Sequence, residues 1–236
     1  PRFGSSGGPT RYALRHALAA HHGGATENIV VGEGIDGRLG YLVRLVVEQG
    51  DTVVTSAGAY PTFNYHVSGF GGALDMLPFR DDCEDLPALV ARATEAKAKL
   101  VYLANPDNPM GTYWTGAEIA AAVEELGPDT LMILDEAYAE FAPADAAVPL
   151  DIEDERVIHM RTFSKAYGMA GARVGYALGA KPLIRSFEKI RNHFGMNRSA
   201  QIGALAALED QAWLAQTVAQ VETARAEIAR IAADNG

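Results

Sequence analysis

The chain has 236 residues, of which 48% are apolar and 21% charged, as in an ordinary folded globular protein of one large domain or two small ones. Twenty Lys and Arg against thirty Asp and Glu give a formal charge of −10, which argues against a nucleic-acid groove or an anionic membrane surface. Cys83 is the only cysteine, and no apolar run reaches the roughly 18 residues of a membrane helix. We therefore expect no internal disulfide, no membrane span and a reducing, cytoplasmic location.

The spacing of apolar residues predicts helices and strands that alternate along the chain. In chain order they are helix 10–22, strand 28–31, a helix from 34 to about 48, strands 52–55 and 73–77, helix 86–97, strand 100–104, helix 115–126, strands 131–134, 157–160 and 174–178, helix 182–192 and a long helix over 210–235. Short apolar strands separated by helices are typical of a mostly parallel sheet covered on both faces. The sequence therefore predicts one α/β domain.

Two glycine-rich motifs suggest competing chemistries. Residues 4–8 match the G-x-S-x-G pattern of a hydrolase nucleophile, but no strand precedes them, so we interpret them as a flexible turn. Residues 32–37 match G-x-G-x-x-G between a strand and a helix, where open N–H groups and the helix dipole favour a phosphate. A dinucleotide would also need an acid at the end of the second strand, whereas Asp51 precedes that strand. We predict a phosphate site without a nucleotide; a plain strand-to-helix turn is the alternative.

Three polar segments each follow a predicted strand: 105–111, 135–138 and 162–165, with Arg173 eight residues beyond the last. Taken one at a time, the first segment is typical of a Pro/Gly turn, the second of a helix cap with solvated acids, and the third of a surface lysine. Together, they fall where open α/β sheets bind their ligands. Lys165 is the one lysine of five in an uncharged stretch, which is typical of an amine nucleophile in a partly dry site.

The motifs NPMG at 108–111, DEAY at 135–138 and SKAYGMAGARVG at 164–175 resemble the class I/II pyridoxal-phosphate aminotransferases, nearest to the histidinol-phosphate aminotransferase branch. The resemblance runs over 3–236. It implies the fold type I large domain, a three-layer αβα structure with a seven-stranded, mostly parallel sheet. It also implies that 1–236 is this large domain alone, with the family's N-terminal arm and small C-terminal domain outside it.

The resemblance assigns roles around the cofactor ring. Lys165 would bind pyridoxal phosphate covalently and move the substrate proton, and Asp135 would pair with the pyridinium nitrogen. Asn108 and Tyr138 would hydrogen-bond the ring oxygen. Phe63 stands at the position of the family's stacking aromatic.

The resemblance also assigns the phosphate to the G-x-G-x-x-G segment. Backbone N–H groups of Ile35 and Asp36, the hydroxyls of Thr162 and Ser164, and Arg173 would hold it. Phe3 stands where the family commonly has a tyrosine that reaches the phosphate of the partner subunit.

The activity implied is transamination in amino-acid biosynthesis, between an amino acid or amino-alcohol phosphate and a 2-oxo acid such as 2-oxoglutarate, by a homodimer. A decarboxylase or β-lyase of the same fold is the alternative. A sensor domain of a transcription regulator is a weaker one, since it would need a basic helix-turn-helix. The histidines and Cys83 lack metal-ligand spacing, so we expect no metal. Tyr60, Tyr65 and His66 would line the substrate side or simply pack.

Overall fold

A seven-stranded sheet forms the centre of the protein. The computed structural model describes residues 9–147 and 151–235. In that part of the chain the strands are β1 (Ile29–Gly32), β2 (Thr52–Ser56), β3 (Ala73–Leu77), β4 (Leu100–Ala104), β5 (Leu131–Asp135), β6 (Val157–Thr162) and β7 (Gly175–Leu178). They lie in the order β1-β7-β6-β5-β4-β2-β3. Every pairing is parallel except those of β7, which runs antiparallel to β1 and β6. The predicted seven-stranded, mostly parallel sheet is confirmed.

Helices connect the strands. They are α1 (Pro9–His22), α2 (Gly34–Val46), α3 (Thr62–Gly69), α4 (Leu86–Glu95), α5 (Gly116–Glu124), α6 (Lys181–Phe187), α7 (Arg198–Glu209) and α8 (Gln211–Asn235). The sequence pattern predicts neither α3 nor α7, and it extends α6 five residues too far. Aromatic and β-branched residues give α3 a low intrinsic helix propensity, so its burial of Phe63 and Val67 stabilises it instead.

Both faces of the sheet are covered because the side chains of each buried strand alternate between a core on one face and a core on the other. In β4, Leu100 and Tyr102 pack into the core beneath α2 and α3, whereas Val101 and Leu103 pack into the core beneath α4 and α5. All five residues of β4 are buried. This is the three-layer arrangement expected of a central parallel strand.

The layers leave one edge of the sheet open for polar groups. The carboxyl ends of β4, β5 and β6 meet there, and β1 leads through Glu33 into the first turn of α2 at the same edge. Within the described ranges, no helix is long and apolar enough to cross a membrane. Phe3 and the motif at 4–8 lie outside the described residues.

Candidate functional site

A pocket lies at the carboxyl ends of β4, β5 and β6 and faces the N-terminus of α2. Its cavity measures about 120 Å³. All the predicted site residues except Phe63 line it: Ile35, Asp36, Asn108, Asp135, Tyr138, Thr162, Ser164, Lys165 and Arg173. The fold therefore brings together segments that are up to about 140 residues apart in the chain, at the edge where open α/β sheets place their ligands.

One end of the pocket is built to hold an anion. Gly34 begins α2 with φ at +77°, and a side chain there would lie 2.7 Å from the Arg173 guanidinium. A side chain at Gly175 would place its first carbon 2.6 Å from the carbonyl carbon of Gly34 and 2.7 Å from the nitrogen of Ile35. The two glycines thus let β7 and the first turn of α2 touch, which sets Arg173 beside the open N–H groups of a helix N-terminus.

The hydroxyl of Thr162 closes the turn that follows β6. Its Oγ1 accepts a hydrogen bond from the backbone N–H of Ser164 at 3.0 Å and donates to the carbonyl of Val174 at 3.2 Å. Thr162 is buried, whereas Ser164 is half-buried and lines the pocket. Since the Thr162 hydroxyl proton is already engaged, Thr162 serves the anion end chiefly by placing Ser164.

Asp135 supplies a buried carboxylate at the floor of the pocket. Its Oδ2 accepts a hydrogen bond from the Tyr102 hydroxyl at 2.7 Å, and its Oδ1 accepts one from the backbone N–H of Ala137 at 3.0 Å. Burial raises the pKa of Asp135 to about 6, although both hydrogen bonds and the charge of Lys165 lower it. The group is therefore ionised at neutral pH and is aimed at a cation that would enter the pocket.

Lys165 stands at the mouth of the pocket. Its Nζ lies 5.0 Å from the centroid of the Tyr138 ring, within cation–π range. A turn closed by the Gly168 N–H to the Lys165 carbonyl at 2.8 Å carries it. The Lys165 side chain is exposed, which differs from the partly dry surroundings that the sequence predicts.

Comparison with known proteins gives one consistent family. The model of the class I and II aminotransferase family matches residues 2–232. The chain belongs to the class I and II aminotransferase family. It is 37% identical to a histidinol-phosphate aminotransferase of Anaeromyxobacter sp., over 93% of this chain and 61% of that protein.

Two solved structures with the same fold can be compared with this chain. The structure of histidinol-phosphate aminotransferase from Sinorhizobium meliloti in complex with pyridoxal-5'-phosphate superimposes with a TM-score of 0.93 at 53% identity, covering 96% of this chain and 62% of that one. An L-threonine-O-3-phosphate decarboxylase from Porphyromonas gingivalis, 21% identical, matches with a TM-score of 0.76 over 89% of this chain and 63% of that one, and it shows the shared fold alone. The chain thus spans about 60% of the length of these aminotransferase relatives.

In this chain, Phe63 lies outside the pocket. Its side chain is fully buried, and its ring stacks on that of Tyr102, with centroids 4.8 Å apart and planes at 16°. Phe63 therefore supports Tyr102, which in turn contacts Asp135, rather than facing the pocket itself. Tyr60 is the aromatic residue next to α3 that lines the pocket, with 39% of its surface exposed.

The side chain of Asp36 is held by α3. His66 Nε2 lies 2.8 Å from Asp36 Oδ1, and a side chain at Gly40 would lie 2.8 Å from the His66 ring. His66 thus packs against α2, one of the two expectations for it, while Tyr65 is exposed. This contact joins the first turn of α2 to α3.

Glu136 is neither a helix cap nor a solvated acid, which corrects the single-segment interpretation of 135–138. It is 4% exposed and accepts hydrogen bonds from Arg161 at 2.9 and 3.1 Å, with His159 Nδ1 at 3.2 Å. Although burial opposes it, the charges of His159 and Arg161 lower the pKa of Glu136 to about 2. This ion pair joins the end of β5 to β6 directly behind Asp135 and the Ser164–Lys165 turn.

Tyr102 and Glu84 support the site, although the sequence motifs do not predict either of them. Tyr102 carried a usable signal, since it is the one hydroxyl in the apolar strand β4. Glu84 is buried behind Ala104, but no sequence signal indicates this burial. The acidic residues near it, Asp82 and Asp85, are typical of a solvated turn. Among the residues described, no group of three or more His, Cys, Asp or Glu side chains could hold a metal ion.

Proposed function

We propose that this protein is a pyridoxal-phosphate-dependent transaminase. The observation that carries the proposal is the meeting of three groups in one pocket of an aminotransferase chain: an anion cradle at α2, the buried carboxylate of Asp135 and the amine of Lys165. The Sinorhizobium meliloti relative, 53% identical, is described in complex with this cofactor. We carry its ligand to this chain on that ground.

The residues fit the cofactor at each of its chemical groups. Gly34 and Gly175 leave a cradle that a side chain would fill, with Arg173 beside it, which suits a phosphate. The ionised, buried Asp135 suits a pyridinium nitrogen, because a buried carboxylate is stabilised by a cation. Asn108 and Tyr138 would hydrogen-bond the ring oxygen, and Lys165 would bind the aldehyde.

Bound pyridoxal phosphate supplies an electron sink that stabilises negative charge on the α-carbon of an amino substrate. The chain's own residues orient that chemistry. Asp135 would keep the ring nitrogen of the bound cofactor protonated, and Tyr102 holds Asp135 in place through its hydroxyl. Lys165 Nζ would be the base that removes and returns the substrate proton. It lies 5.0 Å from the centroid of the Tyr138 ring.

The names of the relatives, histidinol-phosphate aminotransferases, are the basis on which we propose the substrates. We infer an amino donor of the amino-acid or amino-alcohol-phosphate class, as in histidinol phosphate, and a 2-oxo acid acceptor such as 2-oxoglutarate. We also infer a cytoplasmic homodimer in which 1–236 is the cofactor-binding large domain. The coverage of 61% of the Anaeromyxobacter relative supports the domain assignment.

The test is covalent capture of the cofactor. The full protein with pyridoxal phosphate should show a visible absorption band that borohydride fixes onto the peptide containing Lys165. Lys165→Ala should abolish the fixation, whereas Lys189→Ala, an exposed lysine after α6, should leave it unchanged. Fixation that survives in Lys165→Ala would refute the assignment. Release of CO₂ or pyruvate without an acceptor acid would keep the cofactor and replace transamination by decarboxylation or β-elimination.

A further inference from the structure

Glu84 is a buried carboxyl group that the proposed chemistry does not use. It lies between the carboxyl ends of β2 and β4 and is 1% exposed. The Ser56 hydroxyl donates a hydrogen bond to its Oε2 at 2.6 Å, and the backbone N–H of Ala104 donates to its Oε1 at 2.9 Å. Ala104 lines the pocket, so Glu84 sits directly behind the pocket wall.

A second buried carboxyl group, Asp107, lies against Glu84. Asp107 is 5% exposed, and its Oδ2 accepts a hydrogen bond from the backbone N–H of Met110 at 3.2 Å. Its Oδ1 is buried and receives no N–H or O–H donor while both acids are ionised. The Glu84 and Asp107 carboxyl groups are nevertheless within hydrogen-bonding contact. A buried acceptor without a donor is costly, and two buried carboxylates in contact repel each other.

One proton shared between Glu84 and Asp107 gives the Asp107 Oδ1 a donor and removes the repulsion between two buried carboxylates. Burial is the main cause that raises the pKa of Glu84 to about 7, and the charges of Asp107 and Asp135 add to it. Burial also raises the pKa of Asp107, which backbone hydrogen bonds and Glu84 lower again. The titratable groups that interact with Glu84 are Asp107, Asp135, Tyr102 and Cys83, and none of them is a cation. A proton carried by Glu84 supplies the donor that the buried Oδ1 of Asp107 otherwise lacks.

We propose that Glu84 donates a shared proton to Asp107 and thereby positions Asn108, the next residue in the chain. The start of the segment after β4 is also held by β5, through the Asn105 N–H that donates to the Asp135 carbonyl at 2.8 Å. The Asn105 side chain bonds the backbone of Trp114 at 2.8 and 3.0 Å, and the Asp107 N–H donates to Thr112 at 2.8 Å. The Glu84–Asp107 contact supplies the attachment to β2. The role given to Asn108 rests on the proposed function, whereas the shared proton does not.

The proton itself is tested without cofactor. Carboxyl ¹³C NMR of the glutamate-labelled full protein should show Glu84 titrating near pH 7, far above an ordinary glutamate. In Asp107→Asn the neighbouring charge is gone and the amide can donate to Glu84, so its titration should move well down. A Glu84 signal that is ionised throughout pH 5–8, or one that Asp107→Asn leaves unmoved, would overturn the shared proton.

The positioning role is tested by pyridoxal-phosphate affinity across the same pH range. Glu84→Gln keeps an acceptor for Ala104 and a donor for Asp107 at every pH, so its affinity should match that of the unmodified protein at pH 6. The unmodified protein should lose about 2- to 10-fold relative to Glu84→Gln between pH 6 and 8.5, the worth of one net hydrogen bond. Glu84→Met, similar in volume but without either group, should show the loss at pH 6 already.

The affinity measurements distinguish a failure of the positioning role from a failure of the proposed function. If Glu84→Met binds pyridoxal phosphate as tightly as the unmodified protein at pH 6, the positioning role is wrong while the function stands. If the unmodified protein itself shows no cofactor binding at Lys165, the proposed function fails, and with it the role of Asn108. The NMR titration still decides the shared proton in that case.

Discussion

Gly175→Ala should separate the anion cradle from the rest of the site. The added carbon would lie 2.6, 2.7 and 2.9 Å from three backbone atoms of Gly34 and Ile35, none of which can rotate away. The shortest contact must lengthen by roughly 1 Å to reach the ordinary separation of carbon atoms, so β7 and the first turn of α2 must move apart. Overpacking of this kind costs about 1–3 kcal/mol of folding stability.

The same displacement should weaken phosphate binding. A hydrogen bond to a charged group contributes about 1.5–3 kcal/mol, so an N–H of α2 moved by an ångström lowers the affinity for pyridoxal phosphate by roughly 10- to 100-fold. Absorption titration measures this affinity, and urea unfolding measures the stability. Pyridoxal, which lacks the phosphate, should bind Gly175→Ala and the unmodified protein equally.

Gly171→Ala is the matched control for Gly175→Ala. It makes the same change four residues earlier, where the added carbon meets nothing within 4 Å, so both affinity and stability should stay unchanged. The reasoning is refuted if folded Gly175→Ala binds pyridoxal phosphate as tightly as Gly171→Ala does. It is equally refuted if the affinity for pyridoxal falls as far as that for pyridoxal phosphate.

Two further substitutions test the groups beneath the pocket. Tyr102→Phe removes the 2.7 Å hydrogen bond to Asp135 and should lower the free energy of unfolding by about 1.5–3 kcal/mol at pH 8. The loss should be smaller at pH 5, because Asp135 is largely protonated there. Equal losses at the two pH values, measured by urea unfolding, would contradict this. Arg161→Met leaves the buried Glu136 carboxylate without its guanidinium and should cost about 3–5 kcal/mol at pH 7, with much of the loss recovered in Arg161→Met/Glu136→Leu. Because the folded-state pKa of Glu136 is lowered to about 2 from 4.5, the stabilisation by Glu136 is present above pH 4.5 and disappears as the pH falls towards 2. A loss below about 1 kcal/mol in Arg161→Met at pH 7, measured by thermal or urea unfolding, would show that Glu136 finds another partner.

Much of the fold could be predicted from the sequence because buried parallel strands leave a simple pattern. Runs such as 100–104 and 131–134 are apolar at every position, since each strand has a core on both faces. The hidden helices α3 and α7 show where the pattern fails. Packing, rather than propensity, stabilises α3, and no window of sequence records what it will pack against.

The sequence by itself determined which chemistry the site carries. Asp135 ends β5 and Lys165 follows β6, and parallel strands bring their carboxyl ends to one edge of a sheet, so the meeting of these two residues could be predicted without coordinates. Arg173 instead precedes β7, which runs antiparallel and therefore begins at the same edge. The glycines of the phosphate turn were readable for the same local reason, since a backbone at φ of +77° favours glycine.

Only the tertiary structure decided how those groups are supported. It turned Phe63 inward onto Tyr102, set the Tyr102 hydroxyl under Asp135, exposed Lys165 and placed Glu84 against Asp107. The physical reason is that burial and pairing of polar groups depend on residues from separate strands. Glu84 comes from the segment before α4, and Asp107 follows β4, 23 residues later. From the sequence, two acids at that separation are expected to be solvated. The fold instead places them side by side and away from water.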